Sequence, residues 1–302
     1  MLPTVSHNRN LPRWQWILLL LAVAVGSACS AFGPTVIYER PSMFGQLVVT
    51  DDGDDLRSLR FGRNGITQST IKVGDPDHLQ FGYTRLVLTA FVLAPAPRRI
   101  LVVGLGGASL PVFLHRHYPD ALIDVVEIDP EVVSAARLHF GFRDDARLRA
   151  HVDDGRAFIE RAPAAHYDVI ILDAFGSAEV PAHLTTQEFL EAVRRALAPD
   201  GVVVSNIWSR LYNAKYDAML RTYLQVFEQM HLLEARGDVN RIVLALPRAQ
   251  AIAPAQFAAR ARQLSLAKGY RFNLGTLFDA SLEPTPVKQA DVPVLRDARV
   301  TR

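Results

Sequence analysis

The stretch DVVEIDPEVV, residues 124–133, decides the fold. Its apolar residues up to Glu127 suit a strand buried on both faces, and the Asp129-Pro130 pair suits a helix start, with Asp as cap and Pro at the first helical position. A strand handed to a helix within two residues is a βα unit. Glu127 stands at the carboxyl end of that strand, where an unpartnered carboxylate would be costly.

The same alternation runs on either side. ILVVG, LRAHV, DVIILDA and GVVVSNI are further strand candidates, with SLPVFLHRH, PEVVSAARLHF, DGRAFIERA and TTQEFLEAVRRAL as the intervening helices. HLLEAR and RIVLALP add two strands near the end, and AQFAARARQLSLAKG adds a helix, before an irregular PTPVKQADVPVLRD. Continuous apolar strands joined by helical crossovers predict an α/β fold with a Rossmann-like, mostly parallel sheet over residues 96–302. Residues 38–95 read instead as a small N-terminal β-rich domain. QLVVTDDGDDLRSLRF is a hairpin, ITQSTIKV a strand, HLQFGYTRLVLTAFVL helical after Tyr83, and APAPRR a stiff joint.

Composition narrows the class. With 302 residues, 49% hydrophobic and 21% charged, the chain is globular, and a net charge of +2 without any Lys/Arg run argues against nucleic acid as a partner. Trp14 to Tyr38 carries no charged side chain and follows His7, Arg9 and Arg13. Residues 1–37 are therefore expected to be a signal peptide or membrane anchor. Cys29, the single cysteine, follows Gly26-Ser27-Ala28 where a bacterial lipoprotein carries its lipid, so the expected location is membrane-associated or exported, with a cytoplasmic catalytic domain as the alternative. One cysteine excludes an internal disulfide and a cysteine-rich zinc site. His115, His117 and His139 lack a metal-ligand arrangement, so no metal is expected.

In an open α/β sheet, ligands gather beyond the carboxyl ends of the strands. Gly104 and Gly106 of GLGGAS let a backbone turn approach a ligand, and Ser109 is a candidate cap for the next helix. Glu127, 23 residues beyond Gly104, can accept hydrogen bonds from both hydroxyls of a ribose. Asp154 and Gly155, after the third strand, suit an adenine edge, with helix capping as the other reading of Asp154. Asp173 ends the fourth strand, near the reactive end of a ligand so held, where it can orient a nucleophile. The absence of a third fingerprint glycine at Ser109 disfavours a dinucleotide, and no G-K-[ST] follows to make a P-loop. An adenosyl-sulfonium compound fits better.

FGQLVV, ITQS, VVGLGGAS, VVEIDPEVV, VDDGRAF, YDVIILDAF and HLTTQEFLEAVRRALAPDGVVVSN, in this order over residues 38–246, resemble the polyamine aminopropyltransferases, the spermidine and spermine synthases. The resemblance implies a small β domain before a Rossmann-like, methyltransferase-type domain. It also implies transfer of an aminopropyl group from decarboxylated S-adenosylmethionine to an amine acceptor, and a homodimer. By the same resemblance Gln46 meets the donor tail, Glu127 its ribose, Asp154 its adenine, and Asp173, assisted by Tyr83, the attacking amine.

Three departures bear on that expectation. Thr84 and Arg85 stand where the family has His and an acid, Gly107 replaces the acid of G-G-G-D-G-G, and Gly176 replaces the second acid of D-S-S-D-P. Asp75 and Asp77 are candidates to restore the lost charge, whereas Arg85 would repel a diamine if it faced the pocket. Methyl transfer from S-adenosylmethionine on the same scaffold is the nearest alternative. A membrane-tethered, non-enzymatic ligand sensor or assembly protein is the second.

Overall fold

The computed structural model describes residues 33–176, 179–284 and 291–298. The first sheet holds β1 (Thr35–Ser42), β2 (Gly45–Gly53), β3 (Leu56–Phe61) and β4 (Thr67–Lys72) in sequential order, β2/β3 and β3/β4 being antiparallel. The DDGDD turn closes β2 onto β3. Asp54 and Asp55 both take positive φ, 51° and 63°, a conformation aspartate tolerates and a two-residue hairpin turn requires.

A short helix α1 (Gly82–Val87) and a 3-10 turn (Leu88–Val92) lead into the large sheet. Its strands are β5 (Arg99–Val103), β6 (Leu122–Glu127), β7 (Leu148–Val152), β8 (Tyr167–Leu172), β9 (Leu197–Trp208), β10 (Gln229–Glu234) and β11 (Asn240–Leu246), in the spatial order β10-β11-β9-β8-β5-β6-β7. Neighbours from β7 to β9 run parallel, and β11 is antiparallel to both β9 and β10. Helices α2 (Ser109–His117), α3 (Pro130–His139), α4 (Gly155–Arg161) and α5 (Gln187–Ala196) are the crossovers. Beyond them lie α6 (Tyr216–Val226), α7 (Pro254–Lys268) and α8 (Leu274–Ser281).

Alternation along the strands sorts the core into two layers. Ile100, Val102, Ile123, Val125, Val169 and Ile171 face α2, α3, α7 and α8, and the same layer takes in Leu47, Val49 and Leu59 of the small sheet. Leu101, Val103, Val126, Ile170 and Val203 face α4, α5 and α6. Chain order reverses between β5 and β8, which opens a crevice at their carboxyl ends.

Sequence expectation and structure differ at several points. The strands and crossover helices of the large sheet fall where the alternation put them, while β1, α6 and α8 lie outside the stretches named there. The Tyr83 segment turns to 3-10 geometry after one and a half turns instead of continuing as a helix. Ser109 is not a cap. The cap position is Ala108, in the left-handed region at φ 56°, so Ser109 becomes the first helical residue. Membrane attachment, and with it the membrane-anchored location, is also corrected: among the described residues no helix is long and apolar enough to cross a membrane. Thr35–Tyr38, the end of the charge-free run, belongs to strand β1, and Cys29 lies outside the described residues.

Helix α8 approaches α7 through Gly275, where a Cβ would fall 2.4 Å from the carbonyl oxygen of Ala258. Gly275→Ala is therefore expected to force the two helices apart and to destabilise the protein by about 1–3 kcal/mol, read as a lowered midpoint in urea unfolding.

Candidate functional site

A cavity of about 260 Å³ lies at the carboxyl ends of β5, β6 and β8. Its floor is the turn after β5. Gly104 has φ 102°, and a Cβ there would lie 2.3 Å from the carbonyl oxygen of Asp173, so only glycine lets the two strand ends close together. The Gly104 N–H donates to Val126 O at 2.8 Å and the Asp173 N–H to Val103 O at 2.9 Å, which ties β5, β6 and β8 at this level. Gly106, with φ 51°, completes the turn beneath the cavity.

Glu127 reaches the cavity from the end of β6. Its two oxygens accept the Leu105 N–H and the Asp129 N–H, each at 3.0 Å, so the carboxylate has partners even without a ligand. Burial raises its pKa, and these amide donors act against that shift. Each oxygen keeps a lone-pair direction for a further donor, as a vicinal diol would need. Asp129 caps α3: Oδ1 accepts the Glu131 N–H at 2.9 Å while Oδ2 accepts the Met43 N–H of the β1–β2 turn at 3.0 Å.

Asp154 caps α4, accepting the Ala157 N–H at 2.9 Å, and its other oxygen meets His183 Nε2 at 2.8 Å. Burial raises the Asp154 pKa, but the Ala157 amide and the His183 ring together outweigh it, leaving the group below the ordinary carboxylate range. Gly155 is needed for packing. A Cβ there would come within 2.5 Å of Val103 Cγ1, so the glycine seats α4 against β5 while its backbone lines the cavity.

Asp173 follows β8. Asn206 Nδ2 donates to its Oδ1 at 2.8 Å and the Tyr83 hydroxyl to its Oδ2 at 3.3 Å, and Asn240 Nδ2 in turn donates to Asn206 Oδ1 at 2.8 Å. Burial pushes the Asp173 carboxyl up to about 6, against the pull of Asn206 and Tyr83. Burial and the neighbouring carboxylate also push the Tyr83 hydroxyl well above its usual value, so it acts as a neutral donor.

A second cavity opens beside the first and shares Gln68, Tyr83 and Phe175 with it. Phe81 stacks on Tyr83 with centroids 5.9 Å apart, and Phe175 on Trp208 at 5.6 Å. Tyr212, Asn206 and Asp238 complete the wall.

Gly104, Gly106, Glu127, Asp154, Gly155, Asp173 and Tyr83 thus line one continuous space. Gln46 does not. It is exposed on β2, on the face opposite the inward-pointing Leu47 and Val49, and Gln68 of β4 lines the cavity instead. Asp75 and Asp77 do not supply the site with charge either: Asp75 pairs with Arg271 at 2.6 Å, and Asp77 with Arg116 at 3.0 Å and His117 at 2.9 Å. Arg85 lines neither cavity, so it is not part of the acceptor wall. Asn206, Phe175, His183 and Asp238 were not foreseen. Of these, only Asn206 left a signal, an amide ending the apolar run GVVVS.

Residues 80–233 match the spermine/spermidine synthase domain family. A polyamine aminopropyltransferase of Vibrio vulnificus is 35% identical over 246 residues, covering 78% of this chain and 81% of that protein. The chain belongs to the spermine/spermidine synthase family. Family membership carries the general class, a transferase-type enzyme with a donor of the S-adenosylmethionine kind. The eEF1A lysine and N-terminal methyltransferase of Bos taurus is 37% identical over 162 residues, which is 50% of this chain but only 23% of that protein. Among solved structures, a probable spermidine synthase from Corynebacterium glutamicum superposes with a TM-score of 0.69 at 24% identity, covering 88% of this chain and 98% of that one. Spermidine synthase from Thermotoga maritima gives 0.64 at 23% identity, covering 83% and 84%. Both show the fold.

The raised Asp173 pKa has a consequence for stability. Below pH 3.8 the group is protonated folded and unfolded; as pH rises from there to about 6 the unfolded chain loses the proton first, so stability falls across that window and stays lower above it. Asp173→Asn keeps the Asn206 contact without the buried charge. At pH 8 it is expected to be more stable than the parent by on the order of 3 kcal/mol, with the difference fading towards pH 4 in pH-resolved thermal melts.

Proposed function

We propose that the chain transfers an aminopropyl group from decarboxylated S-adenosylmethionine to an amine acceptor. The observation that carries the reading is the position of Asp173: it lines the first cavity, while its two hydrogen-bond donors, Tyr83 and Asn206, line the second. A donor in one cavity and an acceptor in the other would meet at this carboxylate.

On this reading Glu127 receives the ribose hydroxyls, Asp154 the adenine amino group beside His183, and Gln68, in place of Gln46, lies towards the donor tail. The acceptor nitrogen attacks the carbon bound to sulfur, the new C–N bond forms as the C–S bond breaks, and the sulfonium takes the electron pair to become a neutral thioether. The amine must first lose a proton, since a free primary amine resembles lysine, with a pKa of roughly 10.4. Burial disfavours both the ammonium and the carboxylate, drawing their pKa values towards each other, and Asp173 has already risen to about 6. Tyr83 and Asn206 hold the carboxylate in one orientation, so its main contributions are positioning and electrostatic attraction.

Methyl transfer from S-adenosylmethionine is a second reading, favoured by Gly107. A Cβ at Gly107 would lie 2.8 Å from both Phe140 Cδ1 and Ser69 Oγ, leaving no room for the acid that the family carries there. Without that acid, nothing at position 107 repels the tail carboxylate that S-adenosylmethionine carries and its decarboxylated form lacks.

Incubating the protein with each donor and an amine, and following product mass, separates the readings. Aminopropylated product from the decarboxylated donor is expected, and methylated product alone would replace this proposal with the second reading. Asp173→Asn should lower transfer roughly 10²-fold or more while leaving adenosyl-ligand affinity close to the parent value. Glu127→Gln should instead weaken that affinity about tenfold or more, as calorimetry with methylthioadenosine would read, because a charged acceptor of hydrogen bonds is replaced by a neutral one.

A further inference from the structure

We propose that Asp238, in the turn between β10 and β11, is the second carboxylate of the acceptor cavity and makes it selective for a diamine over a monoamine of equal length. The inference rests on the transfer reading above and adds to it a specificity-determining residue far in sequence from the other site residues.

The turn after β8 supplies no second acid, because Gly176 occupies that position and Glu179 beside it is turned outward, its carboxylate exposed and 3.7 Å from Lys215. Among the described residues, Asp238 is the carboxylate that lines the second cavity. Its Oδ2 accepts the backbone N–H of Tyr83 at 3.2 Å, and the hydroxyl at the other end of Tyr83 donates to Asp173 at 3.3 Å. The two carboxylates therefore bracket a single tyrosine. Each acid is one hydrogen bond from an end of the same residue, so the two present negative charge at separate points around the acceptor space.

The local backbone is built to hold Asp238 there. Its N–H donates to Ala235 O at 2.9 Å across a tight turn with Gly237 at φ 85°, the turn geometry that places glycine at the third position. Opposite, a Cβ on Gly82 would lie 2.9 Å from Asp238 Oδ2, so the glycine that opens α1 leaves space for the carboxylate. Arg85 approaches the same glycine but forms no ion pair with Asp238 among the described contacts. Between the two acids the wall is aromatic, with Phe81, Tyr83, Phe175 and Trp208 offering faces that pack on methylenes and attract cations.

The test compares 1,4-diaminobutane with n-butylamine. The parent protein should prefer the diamine at least tenfold in kcat/KM, about 1.4 kcal/mol. Asp238→Asn should erase most of that ratio, with the loss carried by KM for the diamine. Asp238→Glu, whose carboxylate reaches one methylene further into the cavity, should retain a preference and shift it towards 1,3-diaminopropane. A diamine-to-monoamine ratio that survives Asp238→Asn, or a parent without such a ratio, would overturn the inference. If no transfer occurs from either donor, the transfer reading fails by itself. Calorimetric titration of the two amines into parent and Asp238→Asn protein then still decides the role of Asp238, since equal binding of both amines to the parent would count against it.

Discussion

The contact between Gly104 and the carbonyl of Asp173 is the constraint on which the site depends. Any side chain at position 104 would meet that oxygen at 2.3 Å, so the carboxyl ends of β5 and β8 come together only with glycine between them. That approach sits where the strand order reverses and loops diverge to either side. It aims the Leu105 N–H at Glu127 on one flank and fixes the first residue after β8 on the other. One glycine thus sets the spacing of two carboxylates from different strands.

The three strand-end carboxylates have the same chemistry but different environments, and the differences sort their roles. Glu127 is half-buried and its two oxygens are held by amides, a fixed acceptor with spare lone pairs. Asp154 is drawn below the ordinary range by a helix-cap amide and a histidine, which suits a permanent anion. Asp173 is carried up to about 6, by burial that two hydrogen-bond donors do not fully offset. A carboxyl raised that far exchanges its proton near neutral pH, unlike Asp154, whose shift runs the other way.

Local pattern made much of this legible. Parallel strands, crossover helices and residues at strand ends follow from short stretches such as DVVEIDPEVV, because topology carries every such end to one edge of the sheet. Tyr83 and Asp173, 90 residues apart, could be paired only through the family resemblance, which the structure matches with a hydrogen bond. What escaped was set by side-chain direction and long-range packing. Gln46 and Gln68 both lie on strands of the small sheet, and only the facing of Leu47 and Val49 decides which of them is turned away. Asp75 and Asp77 were plausible as free acids until Arg116, His117 and Arg271 claimed them from distant elements. The cap at Ser109 failed because a left-handed alanine, rarely chosen for that conformation, took the position.

Asp129 joins two parts of the chain that would otherwise open separately. One oxygen secures the first turn of α3, the other secures the Met43 amide, and Tyr38 of β1 reaches Glu131 in the same turn. Met43 and Phe44 form part of the cavity wall. Fraying of the helix and lifting of that hairpin therefore share a single free-energy cost, and hydrogen exchange at the two places should be coupled as one cooperative unit.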